Sequence, residues 1–283
     1  KIFGIVLLLA GFHAVFSGSD ISNFPVLRFW IIFLWYLGLV SWFYMLSLYK
    51  LLGPRFKVNI DKVNNFEDVT ELIFKKPKGF SYQPGQYIFI RFPRFEGYKE
   101  LFPFSLSSDP SQKNLRISIK RSGDFTSKKI PKLKNGDKAI IMGPYGNFGE
   151  SYLKHDKDMI WIAGGIGITP FLSLAKHESN YPSDRKIILI WATKDKSTAF
   201  HDKELLYEMK KNKNFEYISW FSSKKGRLNI SEVEKIIKNK IQIKNTKILM
   251  CGPPPMIYSL SRSFRKLGVN YHDIVFEDFN MLD

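Results

Sequence analysis

The chain has 283 residues, 45% of them hydrophobic and 16% aromatic, with a formal net charge of +17 and a single cysteine. That length gives room for two soluble domains with substantial cores, and one cysteine excludes an intrachain disulfide framework and fits a reducing compartment. The basic residues are scattered and match no nucleic-acid motif, so the charge is read as a lysine-rich bias or as attraction to an anionic inner leaflet, with no nucleic-acid partner expected.

Residues 2–16 carry no formal charge, but fifteen positions fall short of a full membrane span. Residues 29–49 give twenty-one uncharged positions, which at about 1.5 Å per residue cover ~31 Å, one bilayer core. Trp30, Trp35, Trp42, Tyr44 and Tyr49 add aromatics of the interfacial type. The connection 17–28 is short, so a transmembrane helical hairpin is expected. The chain opens on Lys1 rather than Met, which implies residues upstream. A signal peptide with Lys1 as its basic region is the alternative, and the second apolar stretch and the lack of secretory cysteines argue against it. Lys50, Arg55 and Lys57 place the end of the second span on the cytoplasmic side. An integral membrane protein with its soluble part in the cytosol is therefore expected. His13 lies in the first span, where an ionisable side chain has a functional role by default. Haem iron is one partner for it, and a hydrogen bond to a neighbouring helix is the other.

Stretches 58–63, 70–75, 86–92, 115–120 and 138–142 alternate in polarity or are rich in β-branched residues. Pro84-Gly85, Gly97, Asp109-Pro110 and Asn135-Gly136 punctuate them, which predicts a small antiparallel barrel. Within it Pro103-Phe104-Ser105-Leu106-Ser107-Ser108 joins an aromatic to small hydroxyls, a pattern suited to a planar ring system. Lys120-Arg121-Ser122-Gly123-Asp124-Phe125-Thr126 offers cations, a glycine and a hydroxyl, the parts of a pyrophosphate clamp.

From residue 158 strands and helices alternate: strands at 159–163, 186–192, 215–221, 247–251 and 273–276, helices at 170–176, 201–213, 231–239 and 254–267. This predicts a doubly wound parallel sheet with ligands at the carboxyl ends of its strands. Two glycine-proline turns leave such ends, Gly164-Gly165-Ile166-Gly167-Ile168-Thr169-Pro170 and Cys251-Gly252-Pro253-Pro254-Pro255-Met256. Glycine lets backbone approach a pyrophosphate with no Cβ in the way. Thr169 suits an N-cap and Pro170 a first helical position. After the second strand, Thr193 and Lys194 precede Asp195; a carboxylate there would favour NAD, whereas Lys194 and Arg227 suit the 2′-phosphate of NADP, the coenzyme favoured here.

From Leu52 to Asp283 the chain resembles the ferredoxin–NADP reductase superfamily. With its apolar front it resembles the C-terminal part of the membrane flavocytochromes of the NADPH oxidase and ferric reductase group. The motifs that carry this are Pro103-Phe104-Ser105, Gly123-Asp124-Phe125-Thr126, Gly143-Pro144-Tyr145-Gly146, the two glycine-proline turns and Phe276-Glu277-Asp278-Phe279. The resemblance implies three parts: residues 1–52 as the last two helices of a haem domain, 53–152 as an FAD-binding barrel and 153–283 as an NADP-binding α/β domain. It implies Phe104 and Ser105 at the flavin ring, Ser108 nearby, and backbone of Gly123–Thr126 with Lys120 at the FAD pyrophosphate. It places Gly164, Gly165, Gly167, Thr169 and Pro170 at the coenzyme phosphates, with Thr193, Lys194, Arg227, Gly252, Pro253 and Met256 around the nucleotide. Cys251 would lie beside the nicotinamide, Glu277 near the reaction centre, and Phe279 over the flavin until nicotinamide displaces it. His13 would be a haem b ligand whose partners lie outside this sequence. Phe102 departs from the group, which carries a cationic or hydrogen-bonding residue at that position.

The reaction implied is hydride transfer from NADPH (NADH as a second possibility) to FAD. Electrons would then pass singly through haem across the membrane to oxygen, giving superoxide, or to ferric iron. A membrane-anchored flavin reductase feeding a soluble acceptor such as an oxygenase is the first alternative. A non-catalytic membrane module is the second.

Overall fold

A computed structural model describes residues 6, 8–13, 24–45, 55–95 and 100–277. It divides into two units, Lys1–Pro54 and Arg55–Asp283. In the first, helix α1 (Pro25–Phe43) has no buried residue and is, among the described residues, the one helix long and apolar enough to cross a membrane. It begins four residues before the expected 29, because Pro25 is pre-set for a helix start. Arg28 then falls in the first turn, where its long side chain can reach an interface. Residues 46–49 of the expected span lie outside the described residues. Residues 8–13 are also helical, and a Cβ on Gly11 would overlap the Trp35 indole. The connection 14–23 lies outside the described residues, so the expected hairpin reduces here to one full helix and a short helical segment.

The second unit opens with β1 (Arg55–Asn65), β2 (Val69–Lys75), β3 (Tyr87–Arg91), β4 (Phe102–Ser105), β5 (Asn114–Lys120) and β6 (Lys138–Tyr145). They form one antiparallel sheet in the order β4-β3-β6-β1-β2-β5. An antiparallel bridge between Leu106 and Ile117 draws its two ends together into a nearly closed barrel. Alternation sets the core: Ile88 and Ile90 are fully buried between the partly exposed Tyr87, Phe89 and Arg91. They pack with Leu72, Phe74, Ile117 and Ile141. β4 escapes the sequence reading because Pro103 sits inside it. A proline is tolerated there because β4 ends the sheet order and needs no donor on its outer side. The short helix α2 (Asp124–Lys128) follows β5.

The second sheet holds β7 (Met159–Gly164), β8 (Ile187–Thr193), β9 (Phe215–Phe221), β10 (Lys247–Cys251) and β11 (Ile274–Glu277). All are parallel, in the order β11-β10-β7-β8-β9. Around them lie α3 (Phe148–Leu153), α4 (Thr169–Asn180), α5 (Asp202–Lys211), α6 (Ser222–Lys225), α7 (Ile230–Ile237) and α8 (Pro254–Lys266). Buried on both faces, β7 is apolar throughout. Trp161, Leu189 and Trp191 pack with Phe171 of α4 and Leu205 of α5. Ile160, Ile162 and Ile190 pack on the other face with Val233 of α7 and Leu260 and Phe264 of α8. The strand order reverses between β7 and β10, the switch point at which doubly wound sheets bind ligands.

Charged and polar groups join barrel and α/β domain. Arg116 of β5 reaches Glu204 of α5 through two hydrogen bonds of 2.9 and 2.8 Å. His201 lies buried with Nδ1 2.8 Å from Glu204 and Nε2 3.1 Å from Glu71 of β2. Burial opposes the charge of His201, but its two carboxylate partners prevail and hold its pKa above the ordinary value. Ser173 of α4 donates to the Ser108 carbonyl at 2.6 Å, and His177 Nδ1 lies 3.0 Å from Asp109. His177 and His201 thus take part in the domain junction.

Candidate active site

The two glycine-proline turns lie side by side at the carboxyl ends of β7 and β10. A Cβ on Gly167 would overlap the Cys251 carbonyl. One on Gly164 would come 2.6 Å from Pro253 Cδ and 2.8 Å from Met256 Cε, and one on Gly252 2.8 Å from Gly164 Cα. Three glycines are therefore needed for one turn to pack against the other. Gly165 differs: its φ is +53° and a Cβ there would meet nothing within 4 Å. It faces open space, as a backbone cradle for an anion must.

The helical start needs correction. Residues Gly165–Ile168 already form a 3₁₀ turn that runs into α4. Ile168 is helical and the Thr169 hydroxyl donates to the Ile166 carbonyl at 3.1 Å. Thr169 is thus no N-cap, and Pro170 falls one position deeper than expected. The unpaired N–H groups of the helix start lie a turn earlier, at Gly165 itself.

A cleft of about 610 Å³ opens there. It brings together Gly164, Gly165, Thr193, Lys194, Arg227, Pro253 and Met256, all singled out from sequence. Lys120 also lines it from the barrel side, 3.8 Å from Asp68. Gly167, Thr169, Pro170, Cys251 and Gly252 do not line it; they form its support. Asp195, the carboxylate that would favour NAD, is turned onto its own loop: Oδ1 accepts from the backbone N–H and hydroxyl of Ser197 at 3.0 and 2.7 Å and from Thr198 N at 3.3 Å. The sequence reading missed Ile166, Thr198, Phe200, Ser222, Asn229 and Ser259, which also line the cleft. Ser222 and Thr198 follow the ends of β9 and β8, and that position was the available signal.

The second group of residues centres on β3, β4 and the end of β11. Ser105 of β4 is buried beside Tyr87 of β3, its Oγ without a hydrogen-bond partner among the described residues. Phe104 is half-buried. Glu277 ends β11 level with Cys251 of β10. It is 8% exposed, its Oε2 has no hydrogen-bond partner among the described residues, and burial pushes its pKa up to about 7. Tyr87 is pushed upward too, by burial and by the Glu277 charge. A Cβ on Gly146 would come 2.9 Å from the Tyr87 ring and 3.6 Å from Glu277 Oε1, so this glycine keeps a narrow space open between them. Orphaned polar atoms on Ser105 and Glu277 fit the edge of a polar ring such as flavin. Tyr87 was missed; the Gly146 motif was noted with no role attached.

The other residues expected at the flavin have the following surroundings. Ser108 is 2% exposed and turned into the domain junction, its Oγ 2.8 Å from the Tyr82 hydroxyl. Thr126 Oγ1 accepts from the N–H groups of Ser122 and Gly123 at 3.0 Å each, so it shapes the Gly123–Asp124 turn from inside. Phe125 is buried and stacks on Phe102, with centroids 4.2 Å and planes 7° apart. Phe102 therefore replaces a polar side chain with a packed ring pair. Cys251 is fully buried in the core. Phe279 lies outside the described residues. His13 is helical and exposed, and no cluster of three or more His, Cys, Asp or Glu suited to a metal occurs among the described residues.

The barrel, the switch-point cleft and the grouping of Ser105, Tyr87 and Glu277 fit a two-domain flavin- and nicotinamide-dependent oxidoreductase scaffold. Residues 54–149 match the FAD-binding domain family and residues 161–262 the oxidoreductase NAD-binding domain family, and the chain carries these two domains of the ferredoxin–NADP reductase superfamily. Flavohemoprotein A of Dictyostelium discoideum is 29% identical over 238 residues, covering 78% of this chain and 59% of that protein. The reductase component of propane 2-monooxygenase from Mycolicibacterium smegmatis is 28% identical over 205 residues, 67% of this chain and 57% of that protein. The chain thus spans less than two thirds of the length of these relatives. Respiratory burst oxidase homolog protein E of Arabidopsis thaliana is 32% identical over 165 residues, 50% of this chain but only 17% of that protein. Among solved structures, a flavohemoglobin from Malassezia yamatoensis with bound FAD and heme shares the fold at a TM-score of 0.70 and 22% identity, covering 90% of this chain and 68% of that one.

Proposed function

We propose that this protein is a membrane-anchored, NADPH-preferring flavin reductase that hands electrons to a separate acceptor. The observation that carries the reading is the convergence of Gly165, Thr193, Lys194, Arg227, Pro253 and Met256 on one cleft at the switch point between β7 and β10. FAD, when bound, supplies the conversion of a two-electron hydride donor into a source of single electrons. The protein's part is positioning. Gly165 and the helix start receive the coenzyme pyrophosphate. Lys194 and Arg227, with Asp195 turned away, favour a 2′-phosphate. Ser105 offers a hydrogen bond at the flavin edge, and Glu277, its pKa pushed up to about 7 by burial, can exchange a proton there near physiological pH. The membrane anchor is α1, and the positive residues Arg55 and Lys57 favour a cytoplasmic catalytic part. We assign residues 1–52, 53–152 and 153–283 to the anchor, the FAD domain and the NADP domain.

The similarity to a monooxygenase reductase component and to flavohemoproteins favours a protein partner as acceptor, of oxygenase or haem type. A second reading, transfer across the membrane to oxygen or ferric iron through haem b at His13, draws on α1 and on the partial likeness to a plant respiratory burst oxidase. Vesicles bearing the full-length protein, with NADPH outside and ferricyanide both outside and trapped inside, the two pools measured separately, distinguish them. FAD-dependent NADPH oxidation that reduces only external ferricyanide supports the first reading. Reduction of the trapped pool supports the second. Absence of FAD-dependent NADPH oxidation would overturn both.

A further inference from the structure

Two tryptophans on adjacent strands end their side chains on the carbonyls of glycines that line the nucleotide cleft or directly precede a residue lining it. Trp191 of β8 donates its indole N–H to the Gly165 carbonyl at 2.8 Å. Trp220 of β9 donates its own to the Gly226 carbonyl at 2.9 Å. The two strands pair with Ala192 opposite Trp220, so the rings lie one position out of step. They point to opposite faces of the sheet: Trp191 is buried with Trp161 and Phe171, Trp220 with Val233 and Leu228. Both acceptor glycines have positive φ, +53° at Gly165 and +73° at Gly226. At both, a Cβ would meet nothing within 4 Å, so crowding does not explain either conformation.

A trans peptide is planar, with its N–H directed opposite its C=O. Pinning the Gly165 carbonyl toward the core aims the N–H of Ile166 away from it, and Ile166 lines the cleft. Pinning the Gly226 carbonyl does the same for the peptide of Arg227, which also lines the cleft. Lys225 reinforces the second loop by lying 4.9 Å above the Trp220 ring. The Ser223 N–H donates to the Lys194 carbonyl at 2.9 Å, tying that loop to the one after β8.

We infer that Trp191 and Trp220 are positioning residues that pre-set the two halves of the nucleotide site. Trp191 orders the turn that receives the pyrophosphate, and Trp220 orders the Arg227 loop that reads the 2′-phosphate. The inference rests on the reading of this cleft as the NADPH site. Because each indole supports a different part of the coenzyme, the two should separate affinity from selectivity.

The test is steady-state kinetics of the FAD-loaded full chain with NADPH and with NADH, for Trp191→Phe and Trp220→Phe, with FAD content measured in each. Phenylalanine keeps most of the buried ring and removes the donor. Loss of one such hydrogen bond corresponds to about a five-fold change. Trp191→Phe should raise KM about five-fold for both coenzymes at unchanged kcat and FAD content. Trp220→Phe should raise KM about five-fold for NADPH and leave NADH within about two-fold, and only this variant should weaken binding of adenosine 2′-monophosphate. Unchanged KM values, or equal effects of Trp220→Phe on both coenzymes, would overturn the inference. If either phenylalanine variant fails to retain FAD, Gly165→Ala and Gly226→Ala disturb the same peptides from the solvent side while keeping both tryptophans. The same split between the two coenzymes is then expected, and its absence would overturn the inference. A wild-type chain that binds neither adenosine 2′-monophosphate nor NADPH would instead refute the functional reading of the cleft.

Discussion

The cleft at the switch point and the group formed by Ser105, Tyr87 and Glu277 sit in one unit yet are built from different material. The cleft is mostly backbone: a 3₁₀ turn at Gly165, a second turn packed on it, and loops at the ends of β8 and β9. The second group is made by side chains, with Ser105, Tyr87 and Glu277 contributed by three strands. A backbone site tolerates changes in neighbouring side chains, whereas a side-chain site must be kept residue by residue. The lesson shows at Phe102, where a ring stacked on Phe125 occupies a position that the flavocytochrome resemblance assigns to a polar group.

Within the cleft, the sharpest way to break this contrast is to place a methyl on each of two glycines. Gly167→Ala drives a Cβ into the Cys251 carbonyl. Overpacking against backbone costs about 3 kcal/mol or more, so the thermal midpoint should fall by roughly 10 °C; a fall of less than about 2 °C would show that the two turns are not mutually locked. Gly165→Val meets no neighbour but fills the anion cradle. Coenzyme affinity should fall by at least about ten-fold, with a smaller loss of thermal stability than Gly167→Ala causes. Wild-type coenzyme affinity in this variant would remove Gly165 from the site.

For the side-chain group, Glu277 supplies a pH signature. Its folded pKa is raised to about 7 from 4.5 by burial. The sign follows from linkage: the folded state holds a proton that the unfolded state has released. The stabilising contribution of the neutral carboxyl is full below about pH 4.5 and is lost as pH rises through about 7. Glu277→Gln should flatten stability against pH across that window and leave the high-pH limb more stable than wild type. Parallel stability curves for the two proteins would show that the carboxylate is solvated. The smallest effect is expected at Phe102→Leu, which removes the ring stack on Phe125 and should cost about 1 kcal/mol. A midpoint drop of roughly 3 °C with FAD retained is expected, and loss of FAD would instead place Phe102 at the cofactor.

The same contrast governs what could be read without coordinates. The doubly wound sheet was legible because its strands are continuous apolar runs, each followed by a helical pattern. The glycine turns marked the cleft because their spacing and position report backbone demands. Division of labour among the glycines was not legible: whether Gly165 or Gly167 faces solvent depends on how β10 packs beside β7. Strand β4 was hidden by Pro103, which looks like a breaker until the strand is seen at the sheet end. The helix start at Gly165 was hidden because Thr169-Pro170 is itself a good start signal and a 3₁₀ turn before it leaves no mark in periodicity. Ser108 and Lys120 were placed by local motif, while their partners Tyr82 and Asp68 are distant in sequence. Long-range pairing of polar groups leaves no periodic trace.

The most direct test of the central claim is anaerobic rapid mixing of the FAD-loaded full chain with NADPH, following the oxidised-flavin absorbance in a single turnover. Bleaching of the flavin at a rate that saturates with NADPH, and that needs far more NADH to match, is the expected result. A chain that binds FAD stoichiometrically but keeps its flavin oxidised under saturating NADPH would contradict it.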